Sequence, residues 1–186
     1  MIMSVLRRAA AMEAAMWRNL LGRPEPLRAG ERAFSSHGVV KPILGIFIGL
    51  SAVEIPIFDL IVSRVVPWAP ARWIVLALGV WGLLWMIGFG RGLKGHPHVV
   101  GEDGIRVRLA NRVDFTIPWA DVMAVRKRYR SLPSNKSVQV EDGAMHVVMA
   151  GQTSVDIVRR DQDQVRIYVD DPDAFVRAAT RIKDPA

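Results

Sequence analysis

The 186-residue sequence contains no cysteine. This absence excludes a disulfide scaffold, a cysteine-ligated metal site and a cysteine nucleophile. Charge is scarce in one window: residues 42–90 carry two basic and two acidic side chains, with four of the six tryptophans. The other windows have net charges of +4 (residues 1–41), +6 (91–136) and −3 (137–186). Because 51% of the residues are hydrophobic and charge is segregated in this way, intrinsic disorder and a simple soluble globule are excluded.

Two apolar runs predict a transmembrane hairpin over residues 42–90. The spans are expected at about residues 42–66 and 73–90, each long enough to cross a hydrocarbon core of about 30 Å. The short segment between them contains Pro67 and Pro70, so the second helix must return to the starting side. The alternative is a pair of core helices in a soluble protein. The rest of the chain would then have to cover two helices that are apolar on every face.

Two features inside the first span are candidates for function. Glu54 and Asp59 are acidic residues at membrane depth, where a charge costs about 2.5–3.5 kcal/mol at the helix centre. Such residues suggest a proton relay, a cation site or a pair with a partner, and the alternative is a protonated Glu54 bonded within the hairpin. Gly45 and Gly49 form a GxxxG pattern, which permits close helix contact within the hairpin or between protomers.

The N-terminal segment predicts an amphipathic helix over residues 1–22 and a linker over residues 23–41. Two positions for this helix remain open: on an anionic cytoplasmic leaflet, or packed on the cytoplasmic domain or a partner. Basic residues near the spans predict that both termini of this multi-pass inner-membrane protein are cytoplasmic. The cytoplasmic set is Arg28, Arg32, Lys41, Arg91 and Lys94, against Arg64 and Arg72 in the outer loop.

Beyond Gly95 the hydrophobic period changes from that of helices to that of strands. Residues 96–186 predict seven or eight short strands and then one helix, which indicates a small bent sheet or barrel with one end plugged. The expected strands are residues 105–109, 113–117, 122–130, 138–140, 145–149, 155–158 and 165–169, with turns at 101–104, 110–112, 141–143, 151–152 and 161–163. Trp119, where an alternating strand breaks, is expected to be buried with a partner for its indole N–H.

The string GEDGIRVRLANRVDFTIPWADVMAVR resembles the second-to-fourth strand region of bacterial PH-like domains. The closing DDPDAFVRAAT resembles their C-terminal capping helix. Over about residues 40–186 the chain is similar to small actinobacterial integral membrane proteins that carry such a domain. The resemblance implies an α+β membrane protein: an N-terminal amphipathic helix, a transmembrane hairpin and a cytoplasmic PH-like domain at residues 96–186. The PH-like fold serves as a binding platform, and this likeness carries no ligand-binding motif to the chain.

Arginines recur at spacing two in two of the expected strands, so each set shares a face. If the strands are neighbours, the arginines form one basic face able to bind lipid headgroups or an acidic protein. The alternative is a solvated outer face. The set is Arg106, Arg108, Arg126, Arg128 and Arg130.

No set of residues indicates catalysis, a metal or a cofactor. His96 and His98 flank Pro97, and they are expected to mark the start of the first strand rather than a metal site. A nucleic-acid partner is not favoured, since no recognition motif accompanies the basic residues. The sequence therefore predicts a non-enzymatic binding or scaffold protein, whose partners are membrane lipid, an acidic protein or a second copy. The alternatives are a subunit of an oligomeric transport or channel assembly that uses Glu54 and Asp59, and a membrane-tethered enzyme.

Overall fold

The computed structural model of the chain describes residues 2–22, 26–109, 113–134, 136–161 and 163–183. Within these residues the chain forms two compact units. The helical unit comprises residues 1–23 and 41–92, and the β unit comprises residues 24–40 and 93–186. The turn expected at residues 110–112 lies outside the described residues.

Three helices make up the helical unit: α1 (Ile2–Leu21), α2 (Lys41–Val65) and α3 (Ala69–Gly95). Helices α2 and α3 are long and apolar enough to cross a membrane, with mean hydropathies of 2.0 and 1.9 over their most apolar windows. Pro42 lies in the first turn of α2, where its missing N–H has no helical partner to lose. Pro67 follows the end of α2, so the expected break between the two helices is confirmed.

Helix α3 is the centre of this unit, because α1 and α2 contact it on opposite faces. Towards α2, a Cβ placed on Gly79 would lie 3.0 Å from Ile55. Towards α1, the Nε1–H of Trp81 donates to Glu13 Oε1 at 3.0 Å. Gly79 and Trp81 are two residues apart and therefore about 200° apart around the helix. The structure thus packs α1 on α3 within the helical unit.

Among the described residues, the β unit contains nine strands in two sheets. The first sheet is antiparallel with the order β1-β2-β3-β4. Its strands are β1 (Arg32–Phe34), β2 (His98–Gly101), β3 (Gly104–Leu109) and β4 (Val113–Pro118). The second sheet has the order β5-β8-β9-β7-β6, in which β7 and β9 run parallel. Its strands are β5 (Val122–Ser131), β6 (Val138–Glu141), β7 (Ala144–Val147), β8 (Gln152–Arg159) and β9 (Gln164–Ile167).

The two sheets and the C-terminal helix α4 (Pro172–Lys183) enclose one hydrophobic core. Ile105 of β3 and Ile157 of β8 are fully buried in it. The capping helix contributes Phe175, which is fully buried and meets the ring of Phe34 edge-on at 5.0 Å. Asp171 caps α4, because its carboxylate accepts the N–H of Ala174 at 2.9 Å. The expected amphipathic closing helix is therefore confirmed.

The segment expected to be a linker departs from the prediction. Within it, β1 pairs with β2, and the chain after β1 is held by Asp170, whose carboxylate accepts the Gly38 N–H at 2.8 Å. Three residues are too short a run for hydrophobic alternation to show, and the flanking proline, glycine and serine residues resemble a loop. The β unit therefore begins before the hairpin in sequence and is completed after it.

Candidate functional site

The arginines of the predicted basic face are divided between the two sheets. Strand β3 lies in the four-stranded sheet and β5 at the edge of the five-stranded sheet, so the two strands are not neighbours. A short 3₁₀ turn, Trp119–Asp121, stands between β4 and β5 and carries the chain from one sheet into the other. The merging of all five arginines into one patch, expected if the strands pair, is therefore wrong.

The two arginines of β3 are held by a carboxylate of their own sheet. Arg106 forms a bidentate pair with Asp114 on β4, at 2.7 and 2.8 Å. Arg108 lies directly opposite Asp114, is buried, and places its Nε 3.7 Å from the same carboxylate. The hydrogen bond from Arg106 lowers the pKa of Asp114. These contacts account for Arg106 and Arg108 as parts of the four-stranded sheet.

The three arginines of β5 differ in their contacts. Arg126 and Arg128 are exposed, and neither forms an ion pair with any residue that the structure describes. Arg130 forms a bidentate pair with Asp156 of β8, with its second nitrogen at 2.8 Å from Oδ2. The side chain of Asp156 is only 7% exposed, so the guanidinium of Arg130 covers it.

Asp156 belongs to a row of polar side chains that crosses the whole five-stranded sheet, which we call the polar row. Residues in register on adjacent strands share a face. Their neighbours Val155, Ile157, Val165 and Ile167 lie in the core, so the polar row is on the opposite face. In strand order, the polar row is Arg126, Asp156, Arg166, His146 and Gln139.

Arg166 and His146 form the centre of the polar row. Arg166 donates to Nε2 of His146 at 3.1 Å and to Oε1 of Gln164 at 2.9 Å. Because a guanidinium can only donate, Nε2 is the acceptor and His146 is neutral. Burial and the charge of Arg166 both lower the pKa of His146, which favours this neutral state. Arg166 therefore keeps its positive charge among neutral partners.

Sequence reasoning missed Asp156, Arg166 and His146. Each stands at a polar position in an alternating strand, which was the available signal. Their register depends on pairing between β7, β8 and β9, and local alternation does not specify which strands pair.

The two acids of the first span have different surroundings. Asp59 forms a bidentate pair with Arg72 at the start of α3, at 2.7 and 2.8 Å. Arg72 also lies 5.7 Å from the ring centre of Trp73. Glu54 is exposed on α2. The structure therefore does not bring Glu54 and Asp59 together, and it gives Asp59 a partner within the hairpin.

Gly45 and Gly49 make no close contact in the described part of the chain, since a Cβ on either would meet nothing within 4 Å. Contact within the hairpin through these glycines is therefore wrong. Contact between protomers stays a prediction. The close approaches to α2 come instead from α3, where a Cβ on Gly90 would lie 2.8 Å from Leu44.

His98 marks the start of β2, as expected. It is buried, its Nδ1 accepts the N–H of Arg108 at 3.1 Å, and its Nε2–H donates to the carbonyl of Tyr168 at 3.1 Å. Burial lowers the pKa of His98 to about 4. Among the described residues, no group of three or more His, Cys, Asp or Glu side chains is placed to hold a metal.

The predicted hydrogen bond of Trp119 is confirmed, but the side chain is only partly buried. The indole N–H donates to the carbonyl of Gly101 at 2.9 Å, while the ring is partly buried against the core. Trp119 thus joins the β2–β3 turn to the start of the second sheet.

Comparison of the chain with family models, with curated proteins and with solved structures found no match. The site must therefore be interpreted from its own geometry: a polar sheet face on which Arg130 pairs with Asp156, while no described carboxylate pairs with Arg126, Arg128 or Arg166.

Proposed function

We propose that this chain is a non-enzymatic, membrane-anchored binding protein, which presents a PH-like β unit at the cytoplasmic face of the inner membrane. The observation that carries the proposal is the surface of α2. None of the residues in its most apolar window is buried, although that window has a mean hydropathy of 2.0. An apolar helix in the core of a soluble protein would be covered, whereas one that spans a bilayer is exposed to lipid.

Exposed apolar side chains occur along the length of both helices. Soluble surfaces normally show such side chains singly. The exposed side chains include Ile46, Phe47, Leu50, Val53, Ile57, Phe58, Leu60 and Ile61 of α2, with Trp73, Ile74, Leu78, Val80 and Trp81 of α3. A bilayer is the surrounding that removes this area from water.

The ion pair between Asp59 and Arg72 supports the same placement. An unpaired charge in the hydrocarbon region is costly, and pairing within the hairpin reduces that cost. Both residues lie near the connection between α2 and α3, where the charges can also reach the interface.

The orientation rests on basic residues. Lys41, Arg91 and Lys94 lie next to the membrane at the ends that lead to the β unit, and this bias favours the cytoplasmic side for them. Because α1 runs parallel to α3, with Glu13 at Trp81 and Asn19 at Gly92, the same bias reaches only the C-terminal end of α1, and a cytoplasmic N-terminus stays a prediction. The PH-like form of the β unit is supported by two sheets around one core and by a C-terminal helix that inserts Phe175.

A second candidate function is membership of an oligomeric transport or channel assembly. The observation that favours it is Glu54, a carboxyl group exposed on an apolar helix. A partner helix that supplied a cation or a shared proton would explain that position.

The anchor is tested by expressing the full chain and washing the membranes with alkaline carbonate, which releases peripheral proteins. We expect the chain to stay in the membrane pellet. Val53→Arg places a charge near the middle of α2 and should lower retention, because it costs about 2.5–3.5 kcal/mol there. Val140→Arg makes the same exchange at an exposed position on β6 and should leave retention unchanged. Release of the unaltered chain would contradict the proposal.

A further inference from the structure

The outer face of the five-stranded sheet carries unbalanced positive charge. Arg130 is neutralised by Asp156, but no described carboxylate pairs with Arg126, Arg128 or Arg166. An acid on the same face, Glu141, is on β6, four strand spacings or about 19 Å from β5. The positive charge is therefore concentrated at the β5 end of the polar row.

Arg126 and Arg166 are spaced to share one ligand. They flank Asp156 in the polar row, so their Cα atoms are two strand spacings or about 10 Å apart. Two arginine side chains that start from this distance can both reach a single group above the strand between them. A tetrahedral phosphate accepts bidentate bonds from guanidinium groups, which makes it the matching ligand.

The residues beneath these arginines are buried and hydrogen-bonded. Asp156 and His146 are both buried, and they fix Arg130 and Arg166 by hydrogen bonds. A guanidinium that is already held in place loses less side-chain entropy when it binds. Arg126 and Arg128 remain free to close over the ligand.

The proposed membrane anchor favours a lipid headgroup over free phosphate as the ligand. Only His96 and Pro97 separate α3 from β2, so about 10 Å of chain joins the β unit to the proposed membrane span. Such a tether keeps the sheet at a high effective concentration of headgroups. We propose that the polar row, through Arg126 and Arg166, binds the phosphate of an anionic phospholipid headgroup. This inference rests on the proposed membrane anchor and names the ligand of the presented unit.

The test uses the full chain in lipid nanodiscs, either zwitterionic or containing phosphatidylglycerol, with amide hydrogen exchange as the measurement. We expect slower exchange in β5 and β9 in the anionic discs, and we expect salt to reverse it. Arg126→Gln with Arg166→Gln should reduce this protection by about 30-fold, since one arginine near an anionic surface contributes about fivefold.

Two further double variants sharpen the result. Arg177→Gln with Arg181→Gln removes the same charge from the exposed face of α4 and should keep the protection. Arg126→Gln with Arg128→Gln removes no intramolecular ion pair and should also lose the protection from exchange in anionic discs. This variant keeps the test valid even if Arg166→Gln disturbs folding.

Several outcomes overturn the proposal. Equal exchange in both kinds of disc does so, as does an equal loss in the α4 variant, which would mean that net charge rather than a site is responsible. Protection by inorganic phosphate in zwitterionic discs would assign the site to free phosphate. Failure of the chain to enter discs contradicts the anchor, and the headgroup proposal falls with it, whereas entry without protection contradicts the headgroup site alone.

Discussion

His98 should make the β unit lose stability at mildly acidic pH. Its side chain is 1% exposed, and its two ring nitrogens have fixed roles, with Nδ1 as acceptor and Nε2–H as donor. A second proton would go to Nδ1 and destroy the bond from the Arg108 N–H. Burial opposes the charged form more strongly than the Tyr168 carbonyl and Asp170 favour it, so the pKa falls to about 4.

The sign and size of this change in the free energy of unfolding follow from proton linkage. In the unfolded chain His98 has the ordinary histidine pKa of 6.5, so between pH 6.5 and 4 the unfolded chain binds a proton that the folded chain does not. Stability is therefore fully present above pH 6.5 and is lost as the pH falls. The loss from pH 7.5 to pH 5 is about 2 kcal/mol, and it reaches about 3 kcal/mol below pH 4.

The assay is denaturant-dependent hydrogen exchange of β2 amides in the detergent-solubilised full chain, at pH 7.5 and at pH 5. His98→Asn removes the titrating group and should reduce the pH-dependent change by about 2 kcal/mol, although it also lowers stability at both pH values. The pKa of His146 is lowered too and continues to act in the variant, so the difference between the two proteins isolates His98. An unchanged pH dependence in His98→Asn would refute the reasoning.

Three further predictions concern single contacts. Trp119→Phe removes the indole donor and should cost the β unit about 1–3 kcal/mol in a denaturant titration, because a backbone carbonyl loses its partner. Gly104→Ala should cost about 3 kcal/mol or more in the same titration, since φ is +144° and the new Cβ would clash with the carbonyl oxygen of Ile117 on β4. A loss below about 1 kcal/mol would be inconsistent with this geometry. Asp59→Asn should lower the melting temperature of the hairpin in detergent, and exchanging the partners (Asp59→Arg with Arg72→Asp) should restore part of the loss; no restoration would mean that the pair does not stabilise α2 against α3.

The sequence predicts those parts of the fold that depend on local composition. The hairpin follows from two long apolar runs, and strands β3 to β9 follow from alternation and glycine turns. The closing helix follows from Phe175 and its periodic apolar neighbours. Each of these signals lies within about 25 residues of chain.

The rest depends on contacts between distant segments. Strand β1 could not be predicted, because its three residues gain their partner only from β2, more than 60 residues later. The separation of β3 from β5 is decided by the turn at Trp119, and alternation within a strand does not encode sheet membership. The same limit hid Arg166, because its relation to Arg126 exists only through the register of β8.

The proposed function requires that α2 and α3 form a membrane hairpin with the β unit on the cytoplasmic side. Because the chain has no cysteine, single cysteines can report this directly with a membrane-impermeant maleimide. Val66→Cys lies just beyond α2 in the outer connection, and Ser131→Cys lies exposed at the end of β5. In intact cells with a permeabilised outer membrane, we expect Val66→Cys to be labelled and Ser131→Cys to be labelled only after lysis. Labelling of Ser131→Cys in unlysed cells, with protection of Val66→Cys, would contradict the topology and the function built on it.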